Sequence, residues 1–121
     1  MPKESFLKNR IRSVGYAFKG MFLLLWTESS IKIQFVIALV VTAAGFYFEI
    51  SSTEWALQLI AIGMVMGTEG VNIAIEKLSD YVQPKEDPKI GLIKDISAGA
   101  VMIVSIISSI VGLIIYVPKI I

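Results

Sequence analysis

The chain has 121 residues, of which 55% are apolar, and a formal net charge of +1. This length and composition indicate one membrane domain, and the small net charge argues against a nucleic-acid-binding protein. Cysteine and histidine are both absent from the sequence, which excludes disulfides, thiol nucleophiles, zinc sites and histidine-based triads.

The first predicted element is an amphipathic helix over about residues 5–27. Its polar face carries Lys8, Arg12 and Lys19, and the pattern is typical of a helix lying on an anionic membrane surface. The first twelve residues have no continuous apolar core, so no cleavable signal peptide is expected. The predicted apolar face consists of Leu7, Ile11, Val14, Phe18, Met21, Phe22 and Leu25.

Three apolar segments follow, and each is predicted to be a membrane helix. They cover about residues 31–49, 54–83 and 93–118. The prolines in the segment 84–88 (PKEDP) predict a break between the last two, because proline and the residue before it disfavour helix. The predicted fold class is therefore all-α, with a surface helix and three membrane helices in a single domain over residues 1–121.

The distribution of Lys and Arg predicts the orientation. Six lie within residues 1–32, four within 77–94, none within 49–54, and the remaining one is Lys119. With three crossings the first two groups share one side, and the side with ten basic residues is expected to be cytoplasmic.

A stripe of polar residues marks the end of the second predicted span. In the sequence GTEGVNIAIEKLSD (67–80), helical spacing places Glu69, Asn72, Glu76 and Asp80 on one face. Aligned carboxylates repel one another, so something positive is expected beside them: a magnesium ion or basic side chains from elsewhere in the fold. The structural alternative is a polar seam between neighbouring helices.

The charged residues expected at this boundary suit phosphoryl transfer. Carboxylates can hold magnesium, a lysine can neutralise phosphate oxygens, and a carboxylate half in lipid can accept a proton from a hydroxyl. Glu69 suits the role of base, whereas Lys94 and Asp95 could equally be a plain interfacial pair. No Walker loop or glycine-rich nucleotide motif is present.

These motifs resemble the small prokaryotic integral-membrane diacylglycerol kinases, a family that includes undecaprenol kinases. The resemblance rests on the stripe, on TES at 27–29, on KDISAGAV at 94–101 and on the amphipathic first helix. It implies a homotrimeric enzyme of the bacterial inner membrane, multi-pass, with its N-terminus and active sites cytoplasmic. Such an enzyme transfers the γ-phosphate of ATP, with Mg²⁺, to the hydroxyl of diacylglycerol or undecaprenol.

The resemblance also implies residue roles. Glu69 matches the catalytic base, and Glu28 and Glu76 match magnesium ligands. Trp55 and Ala98 join Glu69 on the lipid-substrate side. The residues that match ATP contacts or their supports are Tyr16, Glu28, Asn72, Glu76, Asp80, Lys85, Glu86, Asp87, Lys94 and Asp95.

The sequence departs from some members where they carry a basic residue early in the surface helix. This chain has Asn9 there, between Lys8 and Arg10, so Lys8 or Arg10 would have to contact the ligands in its place.

Two other functions are compatible with the composition: a small multispan transporter and a non-catalytic membrane subunit. A transporter would place its coupling carboxylate near the midplane, whereas Glu69 comes at the far end of the apolar run that begins at Trp55. Three spans also make an inverted repeat hard to build. The kinase interpretation is therefore favoured.

Overall fold

The computed structural model describes residues 3–121. Its helices are α1 (Lys3–Thr27), α2 (Ser29–Tyr47), α3 (Ser52–Val82) and α4 (Pro88–Ile120), and no strand occurs in that range. The last three are each long and apolar enough to cross a membrane. The predicted all-α architecture with three such helices is confirmed.

A single residue separates α1 from α2. Glu28 has extended backbone angles (φ −101°, ψ 118°), yet its N–H still donates to the carbonyl of Leu24 at 3.3 Å. The chain therefore bends without a loop, and the bend holds the Glu28 carboxylate at the beginning of α2.

A short turn joins α2 to α3, and local hydrogen bonds fix where α3 begins. The N–H of Glu54 donates to Ser51 Oγ at 3.1 Å, and the N–H of Ser51 donates to Glu54 Oε1 at 3.0 Å. This reciprocal capping box satisfies two amides that a helix leaves unpaired at its N-terminus. Within the turn, Glu49 adopts a left-handed conformation with φ 51°.

Helix α4 begins at Pro88, earlier than the expected start near residue 93. Asp87 is the reason, because its Oδ1 accepts hydrogen bonds from the N–H groups of Lys89 at 2.8 Å and Ile90 at 3.3 Å. Proline is well tolerated in the first turn of a helix. The predicted break between the helices is present at 83–87, and Asp87 at its end caps α4.

Helix α3 is central, and α2 and α4 run antiparallel to it. At the end of the bundle near the α2–α3 turn, the Gln58 side chain donates to the carbonyl of Val41 at 3.2 Å. The Tyr116 hydroxyl of α4 donates its proton to the Gln58 side-chain oxygen and lies 3.0 Å from the same carbonyl. Lys119 and Glu54 form an ion pair of 2.9 Å beside this junction. These contacts fix the register of three helices at one end.

Few apolar side chains are buried within the monomer. The buried ones are Ile31, Ile50, Ile73 and Ile115, while most of the large apolar side chains on α2, α3 and α4 are exposed. A protein in water would not leave such continuous apolar surfaces uncovered, whereas hydrocarbon solvates them well. The chain is therefore an integral membrane protein.

Candidate active site

The contacts among Gln58, Val41 and Tyr116 are called the Gln58 junction below. The polar stripe of α3 lies at the opposite end of the bundle from this junction. There, Ser30 in the first turn of α2 donates a hydrogen bond from Oγ to Glu69 Oε1 at 3.1 Å. The antiparallel packing of α2 on α3 makes this contact between residues 39 positions apart. Glu69 is partly buried, so its carboxylate lies at the helix contact and not on open surface.

A basic side chain of α3 lies beside the carboxylate at the bend before α2. Lys77 Nζ lies 3.2 Å from Glu28 Oε1. The Glu28 side chain is 24% exposed and that of Lys77 is 71% exposed. This ion pair connects the bend before α2 to the last turns of α3.

Asn72 provides a polar atom that lacks a partner. The residue is 7% exposed, and within residues 3–121 its Oδ1 accepts no hydrogen bond. A buried amide oxygen left in this state costs free energy, on the order of 1–3 kcal/mol. Asn72 Oδ1 is therefore an unsatisfied acceptor in the monomer, close along α3 to Glu69 and Glu76.

A second ion pair lies further along the stripe. Lys94 near the start of α4 hydrogen-bonds to Asp80 Oδ1, and the negative charge of Glu76 acts on the same ammonium group. Glu76 and Asp95 are exposed. The stripe thus faces α2 at Glu69 and α4 at Asp80.

The oxygen donors are of the kind that magnesium prefers, although they do not form a complete cage. In the part of the chain that the structure describes, no three Asp, Glu, Cys or His residues are grouped so that they could hold a metal. Protein sites for Mg²⁺ often provide one or two carboxylates, with phosphates and water completing the octahedron. Glu28 and Glu76 are carboxylates of the kind that such a site uses, and their role as magnesium ligands stays a prediction.

An apolar groove of about 1230 Å³ runs between α1, α2 and α3 beside these charges. Glu28 and Lys77 are its charged lining residues. At Gly70 a side chain would meet Leu24 of α1, whose Cδ1 lies 3.0 Å from the position that a Cβ would take. The apolar lining includes Leu24, Ile31, Phe35, Ala38, Ile62 and Met66.

The remaining predicted site residues are spread over the molecule. Tyr16 on α1 is 65% exposed, and Lys85, Glu86 and Ala98 are also exposed. Asp87 uses one carboxylate oxygen to cap α4. In the monomer these residues are not gathered around Glu69, and their roles stay predictions.

Trp55 lies at the other end of α3 from Glu69. The two residues are 14 positions apart in the helix, which is about 21 Å along the axis. Its indole ring packs on Phe46, with ring centroids 4.9 Å apart, and fills the space beside Gly45. Trp55 therefore lies far from the polar atoms of the site within one monomer.

Sequence reasoning did not single out Ser30 or Lys77. Ser30 belongs to the short polar run TESS after α1, which was a usable signal, and Lys77 directly follows Glu76. Nothing in the local pattern says which of two neighbouring serines faces α3, or that Lys77 reaches back to the bend before α2.

Fold and site together define an integral membrane protein with a polar, carboxylate-rich site at one end of three apolar helices. Comparison with known proteins is consistent with this class. Residues 15–116 match the family model described as prokaryotic diacylglycerol kinase. The chain is also similar to an undecaprenol kinase of Bacillus subtilis (strain 168), with 34% identity over 113 residues, which is 93% of this chain and 92% of the relative.

The chain belongs to the prokaryotic diacylglycerol kinase family, and it is a lipid kinase.

Proposed function

We propose that this kinase transfers the γ-phosphate of ATP to the hydroxyl of a membrane lipid alcohol, with undecaprenol as the first candidate and diacylglycerol as the second. The name of the Bacillus subtilis relative supports undecaprenol, and the name of the family supports diacylglycerol. Both lipids present one hydroxyl at the end of a long apolar body.

The observation that carries this proposal is the position of the groove relative to the charges. The apolar groove between three helices has its charged lining residues, Glu28 and Lys77, close together, and Gly70 in its wall is the next residue after Glu69. A lipid tail in this groove would bring its hydroxyl near the Glu69 carboxylate. The apolar lining of the groove suits such a tail.

Glu69 is proposed to accept the proton of the lipid hydroxyl as that oxygen attacks the γ-phosphorus. Proton transfer to a positioned carboxylate typically contributes about 10²- to 10⁴-fold to a rate. Lys94, drawn to the stripe by Asp80, would neutralise charge on the phosphate oxygens. Positioning and charge are the main contributions that a protein makes to phosphoryl transfer.

Magnesium is the proposed cofactor, held by Glu28 and Glu76 with the amide oxygen of Asn72 close by. When bound with ATP, Mg²⁺ would neutralise charge on the phosphate oxygens and hold them in a defined orientation. The carboxylates that hold it repel one another in its absence, and Lys77 reduces that repulsion at Glu28.

The carboxylate end of the bundle is proposed to face the cytoplasm of a bacterial inner membrane, where ATP is available. Lys77, Lys85, Lys89 and Lys94 lie at this end, and Lys119 lies at the other, in agreement with the bias of basic residues towards cytoplasmic sides. A homotrimer is also proposed. Packing between copies would cover part of the exposed apolar surface and could bring Tyr16 or Ala98 from one chain to the stripe of another.

The test is phosphate transfer in reconstituted vesicles. The protein is given ATP labelled at the γ-phosphate, Mg²⁺ and either undecaprenol or dioleoylglycerol, and labelled lipid is measured. Glu69→Gln is expected to lower kcat by about 10²-fold or more, while the matched control Glu49→Gln, in the turn at the opposite end, is expected to behave as the parent.

Three results would contradict the proposal: no labelled lipid with either acceptor, full activity without Mg²⁺, or parental activity in Glu69→Gln. A ratio of kcat/KM values that favours dioleoylglycerol would leave the kinase assignment intact and would overturn undecaprenol as the first candidate.

A further inference from the structure

We infer that Ser30 is a positioning residue for the phosphoryl transfer, because its hydroxyl holds the Glu69 carboxylate in one orientation. This inference rests on the proposed role of Glu69 as the base. The supporting contact is the hydrogen bond of 3.1 Å from Ser30 Oγ to Glu69 Oε1, which joins α2 to α3.

The partner of this hydrogen bond differs from those of the other helical Ser and Thr hydroxyls described. Ser108 also donates to another helix, but to a backbone carbonyl, that of Ala61 at 3.5 Å. The hydroxyls of Ser13, Thr42 and Ser109 donate to the backbone carbonyl four residues earlier, at 2.7 to 2.8 Å, which is the common behaviour of Ser and Thr within helices. Ser30 instead donates to a side chain of another helix. Because α2 begins at Ser29, the carbonyl four residues before Ser30 belongs to α1, beyond the bend at Glu28.

The contact gives the two carboxylate oxygens of Glu69 different roles. A glutamate side chain has several rotatable bonds, and an ionised carboxylate can accept hydrogen bonds at both oxygens. With Oε1 engaged by Ser30, Oε2 is the oxygen left to accept the proton of a lipid hydroxyl. A base held in one orientation adopts the reactive geometry more often. Misplacement of a catalytic group by about 1 Å can lower the rate on the order of 10²-fold.

The position of Ser30 also links the base to the proposed magnesium ligands. Glu28 lies two residues before Ser30, at the N-terminus of the same helix. A shift of this first turn would therefore move Glu28 and the hydrogen-bond donor of Glu69 together. The orientation of the base and the position of the proposed cation ligand therefore both depend on the first turn of α2.

A purely structural role predicts a different outcome. Polar contacts between membrane helices stabilise packing, so a packing role would lower stability and leave kcat at saturating substrates unchanged. The two roles are separated by measuring kcat, the KM for ATP and unfolding by SDS titration on the same variants.

The experiment compares Ser30→Ala, Ser30→Thr and Ser29→Ala in the full-length protein in vesicles. Ser30→Ala is expected to lower kcat by roughly tenfold, the effect of one hydrogen bond to a charged group, with the KM for ATP changed less than about twofold. Ser30→Thr keeps a hydroxyl and is expected to recover most of the kcat. Ser29→Ala removes the neighbouring hydroxyl and is expected to match the parent.

Glu69→Gln and the double variant Ser30→Ala/Glu69→Gln separate failure of this inference from failure of the proposed function. If Ser30 acts through Glu69, adding Ser30→Ala to Glu69→Gln causes no further loss of kcat. Parental kcat in Ser30→Ala, or equal losses in Ser30→Ala and Ser30→Thr, would overturn the role of Ser30 while a defective Glu69→Gln still supports the base. Parental kcat in Glu69→Gln would overturn both.

Discussion

Lys77 Nζ lies 3.2 Å from Glu28 Oε1, so a basic side chain on α3 neutralises the carboxylate at the bend between α1 and α2. In the proposed mechanism Glu28 is also a magnesium ligand. The ammonium group of Lys77 and a bound cation would then compete for the same carboxylate, and the ion pair would set how much Mg²⁺ the enzyme needs.

Replacing Lys77 by glutamine is expected to lower the Mg²⁺ concentration that gives half-maximal activity. The decrease should be at most about fivefold, since exposed ion pairs contribute up to about 1 kcal/mol. This Mg²⁺ concentration is measured by titrating the activity with Mg²⁺ at saturating ATP. Lys32→Gln on α2 is the matched control and should leave the titration unchanged. An increased requirement in Lys77→Gln would show instead that Lys77 helps to bind the phosphates.

The Gln58 junction is expected to contribute to stability and not to catalysis. Tyr116→Phe leaves the Gln58 oxygen without this donor at a position where Gln58 is 5% exposed. The expected loss is about 1–3 kcal/mol in the free energy of unfolding, measured by SDS titration. The double variant Gln58→Leu/Tyr116→Phe should lose less free energy of unfolding than the sum of the two single variants, because both substitutions act on one hydrogen-bond network. A large fall in kcat in a folded variant would contradict this assignment.

Gly45 is expected to tolerate no side chain. A Cβ at this position would lie 2.7 Å from one ring atom of Trp55 and 2.8 Å from another, so either the Trp55 ring or the turn between α2 and α3 would have to shift. Gly45→Ala should destabilise the protein by about 1–3 kcal/mol, as overpacking does. Gly63→Ala provides the comparison, because nothing lies within 4 Å of a Cβ there. Its effect should be neutral or stabilising by up to about 1 kcal/mol. Equal unfolding curves for the two variants would contradict the prediction.

Asp87 is expected to stabilise α4 through its cap. Asp87→Ala removes the acceptor for the N–H groups of Lys89 and Ile90 and should cost about 0.5–2 kcal/mol, whereas Asp87→Ser can still accept these hydrogen bonds and should cost less. Unfolding curves of the two variants test this. If Asp87 also contacts nucleotide, as the family resemblance implies, the KM for ATP should rise in Asp87→Ser despite the retained stability.

Helix number and the polar stripe were predictable from the sequence because both follow from local periodicity. Three- and four-residue spacing placed Glu69, Asn72, Glu76 and Asp80 on one face of a helix whichever partner it packed against. The break at the proline-rich segment was predicted, whereas residues 88–92 form the first turn of α4 before the expected start near 93, because the capping role of Asp87 was not recognised.

The family was also predictable from the chain alone, since the combination of GTEGVNIAIEKLSD with KDISAGAV is local and ordered. The match of residues 15–116 to the prokaryotic diacylglycerol kinase family confirmed this family assignment. The individual roles assigned to the site residues remain predictions that the experiments above test.

The sequence by itself determined four helices, three of them apolar enough to span a membrane, and a row of carboxylates at one end of the second apolar helix. The tertiary structure decided which side chains meet that row, Ser30 at Glu69 and Lys94 at Asp80, and that Lys77 pairs with Glu28 at the bend before α2. The physical reason is that periodicity fixes the face of a residue on its own helix, whereas the rotation and register of one helix against another depend on packing across residues distant in the chain.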